Sequence, residues 1–260
     1  MHNNKVVLVT GSSSGIGLAT AQVLANSGFN VMMHGLESNE EGLKIAQALS
    51  SQTQVDVAYC SADLSDPSQV DYLYEQTCEQ FGHIDVLVNN AGIQFTERTE
   101  NFPRDKWDLV VAINLTAPFQ LMQRVLPNMM ANKWGRIINI ASVHGLVGSE
   151  NKAAYCAAKH GMVGYTKVVA LEQATHGVTA NCICPGWTDT PLLNHQFDTI
   201  AKERGVSFEQ AKLELVNTKT PYPGLVSPDA IGAMAAYLCS DQANAITGAA
   251  LPIDGAWTSH

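Results

Sequence analysis

The chain has 260 residues, of which 46% are hydrophobic and 15% are charged. This length and composition are typical of one large globular domain, so we treat residues 1–260 as a single unit. A net charge of −9 disfavours nucleic acid and anionic membranes as partners, because both attract clustered lysine and arginine. No apolar run approaches the about 18 residues of a membrane span, and residues 1–4 show no signal-peptide pattern, so we expect a cytoplasmic protein.

Short apolar, β-branched segments alternate along the chain with longer helical patterns. Strands are predicted at 6–10, 30–34, 55–62, 84–89, 136–141, 178–184 and 250–253, and helices at 16–27, 38–50, 67–81, 105–132, 153–175 and 228–240. Strands that are apolar throughout are buried on both faces, which indicates a parallel sheet covered by helices. The sequence therefore predicts an α/β, Rossmann-type doubly wound domain with a seven-stranded parallel sheet and ligands at its carboxyl edge.

One segment, roughly 191–227, is too long for an ordinary connection between a strand and a helix. It contains a charged helical pattern at 198–217, followed by a stretch rich in proline and glycine. Such insertions often cover an active site, so we predict a helical substrate lid after the sixth strand. A surface insertion without a gating role is the alternative.

The six cysteines are predicted to be buried free thiols, which are typical of a reducing cytoplasm. They form no Cys-x-x-Cys pair and have no His-x3-His partner, so we expect no metal site. The cysteines are at positions 60, 78, 156, 182, 184 and 239.

The first predicted strand is followed by a glycine-rich turn with the spacing Gly-x3-Gly-x-Gly and then by a helix. Glycines let the backbone approach an anion closely, and a helix N-terminus directs free N–H groups towards it. No lysine follows the turn, so we expect a pyrophosphate ligand rather than a transferable phosphate; a plain tight turn is the alternative. The residues assigned to this cradle are Gly11, Ser13, Gly15, Ile16 and Gly17.

A second candidate site combines Tyr155 and Lys159, which are four residues apart and therefore share a helix face. A phenol has a pKa near 10, and a nearby cation such as Lys159 or a positively charged nicotinamide favours the phenolate. Ser142, at the carboxyl end of a strand, is placed to hydrogen-bond a substrate oxygen. An amphipathic pair on a solvated helix face is the alternative, but the small residues around Tyr155 favour a tightly packed helix.

These motifs resemble those of the short-chain dehydrogenase/reductase family, and further matching motifs extend over the whole chain. They are Asp63-Leu64, Asn89-Asn90-Ala91-Gly92, Asn114, Pro185-Gly186 and Asp254-Gly255. The resemblance implies that Tyr155 is the general acid/base and that Ser142 orients the substrate. It also implies that Lys159 binds the nicotinamide ribose and lowers the pKa of Tyr155, and that Asn114 holds a water in a proton relay.

The resemblance also implies which residues contact the cofactor and how copies of the chain assemble. Family members pair the helices at 105–132 and 153–175 across a two-fold axis, so we expect a homotetramer. The implied cofactor contacts outside the glycine-rich turn are Leu36, Asp63, Leu64, Asn90, Gly92, Tyr155, Lys159, Pro185 and Thr190.

The charges near the second strand favour NAD over NADP. A 2′-phosphate needs an arginine or lysine, and neither is present at 12–14 or 34–38, where Glu37 would repel a phosphate. The acidic ribose ligand usual in NAD-dependent family members is also missing at positions 35 and 36, which leaves the mode of ribose binding open.

The predicted substrate pocket is suited to a small hydroxy or keto acid. Lys152, Gln94 and His144 form a polar set that can bind a carboxylate, and two tryptophans leave room only for a short chain. A surface lysine, a structural histidine and core tryptophans are the alternatives. The residues assigned to the pocket are Gln94, Ser142, His144, Lys152, Tyr155, Trp187, Gln196 and Trp257.

Local sequences at 90–94, 142–147, 151–155 and 184–187 resemble those of bacterial family members that act on short 3-hydroxy acids. This resemblance implies NAD-dependent reversible oxidation of (R)-3-hydroxybutyrate to acetoacetate. It further implies that Gln94, His144, Lys152 and Gln196 bind the carboxylate, with Gln196 on the lid. A 3-oxoacyl thioester reductase, a polyol dehydrogenase and a dinucleotide-sensing binding module remain as alternatives.

Overall fold

The computed structural model describes residues 5–259, and within them the side chains of residues 192, 195, 196, 199 and 217 are outside the description. The strands are β1 Val6–Val9, β2 Asn30–Gly35, β3 Val57–Ser61, β4 Val86–Asn89, β5 Gly135–Ile140, β6 Val178–Pro185 and β7 Ala250–Ile253. They form one parallel sheet in the order β3-β2-β1-β4-β5-β6-β7. The predicted doubly wound, seven-stranded parallel fold is confirmed.

Helices cover both faces of the sheet. They are α1 Gly15–Asn26, α2 Asn39–Thr53, α3 Pro67–Phe81, α4 Arg104–Val111, α5 Ala117–Ala131, α6 Ala153–Gln173, α7 Pro191–Arg204, α8 Phe208–Asn217 and α9 Pro228–Cys239. Consecutive residues of β1 enter different apolar clusters: Val7 and Val9 pack on one face and Leu8 on the other. This explains why β1 is apolar at every position rather than at alternate ones.

The helix predicted at 105–132 is interrupted, which corrects the sequence interpretation. Between α4 and α5 a π-helical turn spans Ala112–Thr116, where the Ala117 N–H donates to the Ala112 carbonyl. Such turns widen a helix by one residue and often occur at functional sites. Here the turn places Asn114 in a fully buried position.

The joined helix Arg104–Ala131 also has the length and composition of a membrane span, with a mean hydropathy of 1.3 in its most apolar window. Only 39% of that window is buried within the chain, where Leu121, Met122 and Val125 pack against the sheet. A helix that packs in a protein core passes the same test, so length and composition alone do not assign this helix to a membrane.

The insertion after β6 consists of two helices rather than one. The predicted helical stretch at 198–217 is divided at Gly205, whose φ of +66° ends α7, and Ser207 caps α8. Leu193, Phe197 and Val216 form a separate apolar cluster between the two helices. We call residues 191–227 the lid, as in the sequence analysis.

All six cysteines are free thiols, as predicted, but only four of them are buried. Cys78 and Cys156 are partly exposed because they lie at the edges of the buried faces of α3 and α6. In the range 5–259, no three histidine, cysteine or acidic side chains form a group that could hold a metal ion.

Candidate active site

The glycine-rich turn after β1 has a backbone shape that only glycine adopts easily. Gly11 and Gly15 have φ values of +61° and +54°, in the left-handed region. A Cβ on Gly17 would lie 2.1 Å from the Gly11 carbonyl oxygen, so a side chain there would push α1 away from the turn. The spacing of the three glycines is therefore a requirement of close backbone packing.

The first turn of α1 presents free donors to a cavity at the carboxyl edge of the sheet. Ser14 is the N-cap residue but makes no side-chain capping bond, and the turn contains no acidic side chain. Ser14, Gly15, Ile16 and Gly17 line the cavity, where unpaired N–H groups and the helix dipole attract an anion. The residues present fit a dinucleotide pyrophosphate.

Lys159 is buried below the same cavity, with 3% of its surface exposed. Its ammonium donates to the Ile140 carbonyl at 2.7 Å, and the desolvation lowers its pKa to about 8. The Nζ atom lies 5.7 Å from the centre of the Tyr155 ring. Because an ammonium has three N–H groups, two remain for a ligand.

Tyr155 and Ser142 lie side by side in the cavity wall and share a hydrogen bond. Desolvation raises the pKa of Tyr155 to about 12, and a hydrogen bond with Ser142 acts in the opposite direction. The surrounding protein thus raises the pKa of Tyr155, contrary to the lowering by Lys159 expected from the sequence, because desolvation outweighs the hydrogen bond with Ser142. The Ser142 hydroxyl also accepts a bond from the His144 N–H at 3.1 Å.

Asn114 links the π-helical turn to the segment that follows β4. Its side-chain oxygen accepts from the Ile93 N–H at 2.9 Å, and its amide donates to the Ile93 carbonyl at 2.8 Å. A Cβ added to Gly92 would lie 3.3 Å from Asn114 Oδ1 and 3.7 Å from Lys159 Nζ. Asn114 and Lys159 therefore meet at Gly92; Gly92 and Lys159 line the cavity, and Asn114 lies behind them.

Lys152 and His144 form a polar pair at the other end of the cavity. The Lys152 Nζ lies 3.3 Å from His144 Nε2, so this nitrogen accepts and the neutral ring carries its proton on Nδ1. Desolvation and the charge of Lys152 lower the pKa of His144 to about 4. Desolvation also lowers the pKa of Lys152, and among the described side chains no carboxylate forms an ion pair with it.

Aromatic rings enclose this polar pair. The Trp257 ring lies 5.5 Å from His144 and 5.1 Å from Trp187, and His144 lies 6.1 Å from Tyr155, all centre to centre. Trp187 also belongs to the apolar cluster of the lid. Tyr155, the polar pair and the lid thus share one continuous wall.

The end of β2 carries an acidic side chain that turns back towards the glycine-rich turn. The Tyr59 hydroxyl donates to Glu37 Oε2 at 3.1 Å. Desolvation raises the pKa of the Glu37 carboxyl, but hydrogen bonds from Ser13 and Tyr59 outweigh it and leave the pKa below its usual value. Leu36 is 75% exposed beside it.

The fold and this geometry agree with the comparisons with known proteins. The family model described as short chain dehydrogenase matches residues 5–201. The chain belongs to the short-chain dehydrogenase family. It is 47% identical over 260 residues, the full length of both chains, to a protein named D-beta-hydroxybutyrate dehydrogenase from Cupriavidus necator. It is also 33% identical to a 3-oxoacyl-[acyl-carrier-protein] reductase from Chlamydia muridarum, covering 97% of this chain and 96% of that protein.

Solved structures of other family members have the same architecture. A crystal structure of a variant of actinorhodin polyketide ketoreductase with NADPH has a TM-score of 0.91 and 34% identity, covering 98% of each chain. Levodione reductase has a TM-score of 0.91 and 35% identity, covering 99% of this chain and 98% of that one. This short-chain dehydrogenase is therefore an oxidoreductase of a family that binds nicotinamide dinucleotides.

The structure brings most of the predicted site residues of this short-chain dehydrogenase into one cavity. Those that line it are Gly15, Ile16, Gly17, Asn90, Gly92, Gln94, Ser142, His144, Lys152, Tyr155, Lys159, Pro185, Trp187, Thr190 and Trp257. Gly11, Ser13, Leu36, Asp63, Leu64 and Asn114 lie around it without lining it, and the Gln196 side chain is outside the described residues.

The sequence analysis missed several residues of the cavity wall. Their only signal in the sequence is that they adjoin the recognised motifs, because their contribution is backbone or apolar surface rather than a reactive group. They are Ser14, Ile93, Ile140, Ala141, Val143, Gly186, Thr188, Pro191 and Leu193.

Proposed function

We propose that this enzyme is an NAD-dependent dehydrogenase that reversibly oxidises (R)-3-hydroxybutyrate to acetoacetate. The observation that carries the proposal is Lys152, a partly buried ammonium with no carboxylate partner among the described residues. An unpaired cation beside the catalytic tyrosine is stabilised by an anionic ligand, and a substrate carboxylate supplies that charge.

The enclosed shape of the pocket supports a short substrate. Trp187 and Trp257 line the cavity with their ring centres 5.1 Å apart, and Pro191, where the lid begins, lines it too. Gln94 and His144 add neutral polar groups next to Lys152. We propose that Gln196, on α7, completes the carboxylate site when the lid closes.

Four residues perform the proposed proton transfer. Tyr155 takes the hydroxyl proton of the substrate, and Ser142 donates a hydrogen bond that holds the same oxygen. Lys159 uses its two remaining N–H groups to bind ribose hydroxyls, and Asn114 keeps capacity for one further bond at each polar atom. A bound dinucleotide would supply the hydride acceptor, and its positively charged nicotinamide would favour the phenolate of Tyr155.

Glu37 supports the choice of NAD over NADP. Its carboxylate is held by Tyr59 next to the glycine-rich turn, where it can accept from ribose hydroxyls and repels a phosphate. This placement supplies an acidic group although positions 35 and 36 have none. No lysine or arginine is present at 34–38 to bind a 2′-phosphate.

We further propose that the enzyme is a cytoplasmic homotetramer. Phe119 on α5 and Val168 and Leu171 on α6 are 45%, 51% and 81% exposed, so these two neighbouring helices carry apolar surface that a second copy would cover. The six free thiols favour a reducing compartment. Light scattering tests the assembly, and a monomer at micromolar concentration would refute it.

The experiment that tests the function measures NADH formation from (R)-3-hydroxybutyrate and NAD by purified enzyme. The (S)-enantiomer and a polyol serve as matched controls, and a 3-oxoacyl thioester with NADPH tests the reductase alternative. We expect turnover with the (R)-acid and little with the others. Faster turnover of the thioester would assign the enzyme to the reductases instead.

A further inference from the structure

The imidazole ring of His34, near the end of β2, contacts both the glycine-rich turn and the residue that follows β3. It is 3% exposed. The Gly11 N–H donates to its Nδ1 at 3.0 Å, and its Nε2 lies 3.0 Å from the Ala62 carbonyl oxygen. The ring thus lies between the glycine-rich turn and the end of β3, directly before Asp63 and Leu64.

These two contacts define a single protonation state. Because Nδ1 accepts a bond from Gly11, the proton of the neutral ring lies on Nε2, which donates to Ala62. Burial lowers the pKa of His34, which keeps the ring neutral. An imidazolium would place an N–H donor at Nδ1 against the Gly11 N–H.

The Gly11 peptide is held from both sides. His34 accepts from its N–H, and the Asn90 side chain donates to its carbonyl oxygen at 2.9 Å. The backbone of His34 adds two more bonds to the turn: its carbonyl accepts from the Ser12 N–H at 2.7 Å, and its N–H donates to Ser12 Oγ at 2.9 Å. Gly11 has a left-handed φ, so its conformation depends on such restraints.

We propose that His34 is a positioning residue for the cofactor: its Nδ1 atom holds Gly11 in the conformation that shapes the phosphate cradle. The proposal rests on dinucleotide binding and is independent of which hydroxy acid the enzyme oxidises. An apolar ring would fill the same space but would leave the Gly11 N–H without its acceptor.

Three variants separate this role from simple packing. His34→Asn keeps an acceptor at the position of Nδ1, His34→Gln keeps a donor at the position of Nε2, and His34→Phe keeps only bulk. We would titrate each purified variant with NAD and with NADP by calorimetry, without substrate, and measure urea denaturation in parallel. Using both nucleotides keeps the test valid whichever of them the enzyme prefers.

Loss of the Gly11 bond should weaken binding of the preferred nucleotide about tenfold in His34→Gln and His34→Phe. His34→Asn should stay within about threefold of the wild type even where its stability falls. At saturating nucleotide, the kcat of all folded variants should stay near the wild-type value. Equal weakening of nucleotide binding in His34→Asn and His34→Gln would overturn the proposal. Wild-type nucleotide affinity in His34→Phe would also overturn it. If His34→Phe does not fold, the comparison of His34→Asn with His34→Gln decides.

Discussion

The two ends of the active-site cavity are built in different ways. At the cofactor end, hydrogen bonds of Gly11 with the His34 and Asn90 side chains tie the glycine-rich turn to neighbouring strands. At the substrate end, ring contacts between Trp187, Trp257 and His144 join segments that are far apart in the chain. The comparison indicates that hydrogen bonds shape the proposed nucleotide site, whereas apolar packing and one cation without a carboxylate partner among the described residues shape the proposed substrate site.

The largest expected effect comes from Tyr155→Phe, which separates binding from chemistry. Removing the proton-transferring oxygen should lower kcat by about a hundredfold or more, with NAD affinity close to that of the wild type. Steady-state kinetics and calorimetry measure the two quantities, and Tyr222→Phe, at an exposed position, is the control. If Tyr155→Phe kept more than about a tenth of wild-type kcat, a different acid/base would have to act.

Lys159→Ala should impair both nucleotide binding and catalysis, because the ammonium lies at the proposed nucleotide site and near the phenol of Tyr155. We expect lower NAD affinity together with a lower kcat, unlike the result for Tyr155→Phe. A variant that lost only kcat would show that Lys159 does not bind the nucleotide.

Lys152→Ala tests the substrate end alone. Losing a charge-assisted hydrogen bond should raise the KM for 3-hydroxybutyrate about ten- to a hundredfold, with NAD affinity unchanged. The control is Lys44→Ala, which changes an exposed lysine on α2. Unchanged KM would mean that Lys152 has no part in carboxylate binding.

Leu36→Arg tests the cofactor end alone. The wild type should use NAD far better than NADP, and an arginine at this exposed position should improve kcat/KM for NADP about tenfold by pairing with the 2′-phosphate. Leu43→Arg, at another exposed leucine, controls for added charge. Comparable use of both nucleotides by the wild type would contradict the proposed role of Glu37.

The smallest expected effect is on stability at low pH. The pKa of His144 is lowered to about 4 in the folded protein, whereas an unperturbed histidine has a pKa of 6.5. Above pH 6.5 His144 is mostly neutral in both the folded and the unfolded chain. As the pH falls below 6.5, the unfolded chain binds a proton at His144 that the folded chain does not, so the free energy of unfolding decreases. The loss of stability between pH 7 and pH 5, measured by urea denaturation, should be smaller in His144→Gln by up to about 2 kcal/mol. Parallel losses in both proteins would show that His144 titrates normally.

The cofactor end could be predicted from sequence because its shape depends on local rules. The spacing of Gly11, Gly15 and Gly17 between a strand and a helix already specifies the turn. The four-residue spacing of Tyr155 and Lys159 likewise specifies their common helix face. The parallel sheet was predictable because both faces of each strand are apolar.

The remaining features depend on long-range contacts. The π-helical turn at Asn114 leaves no mark in the hydrophobic pattern, because one extra residue per turn changes the period too little. The high pKa of Tyr155 depends on desolvation by surrounding residues. The contact between His34 and Gly11 joins residues 23 positions apart, and no local rule relates them.

The most direct test of the account compares 3-hydroxybutyrate with its methyl ester as substrates of the wild-type enzyme. The ester keeps the reacting alcohol and the chain length but has no negative charge to pair with Lys152. The account predicts a kcat/KM for the free acid at least about tenfold above that for the ester, and a much smaller ratio in Lys152→Ala. Equal kcat/KM values for acid and ester in the wild type would contradict it.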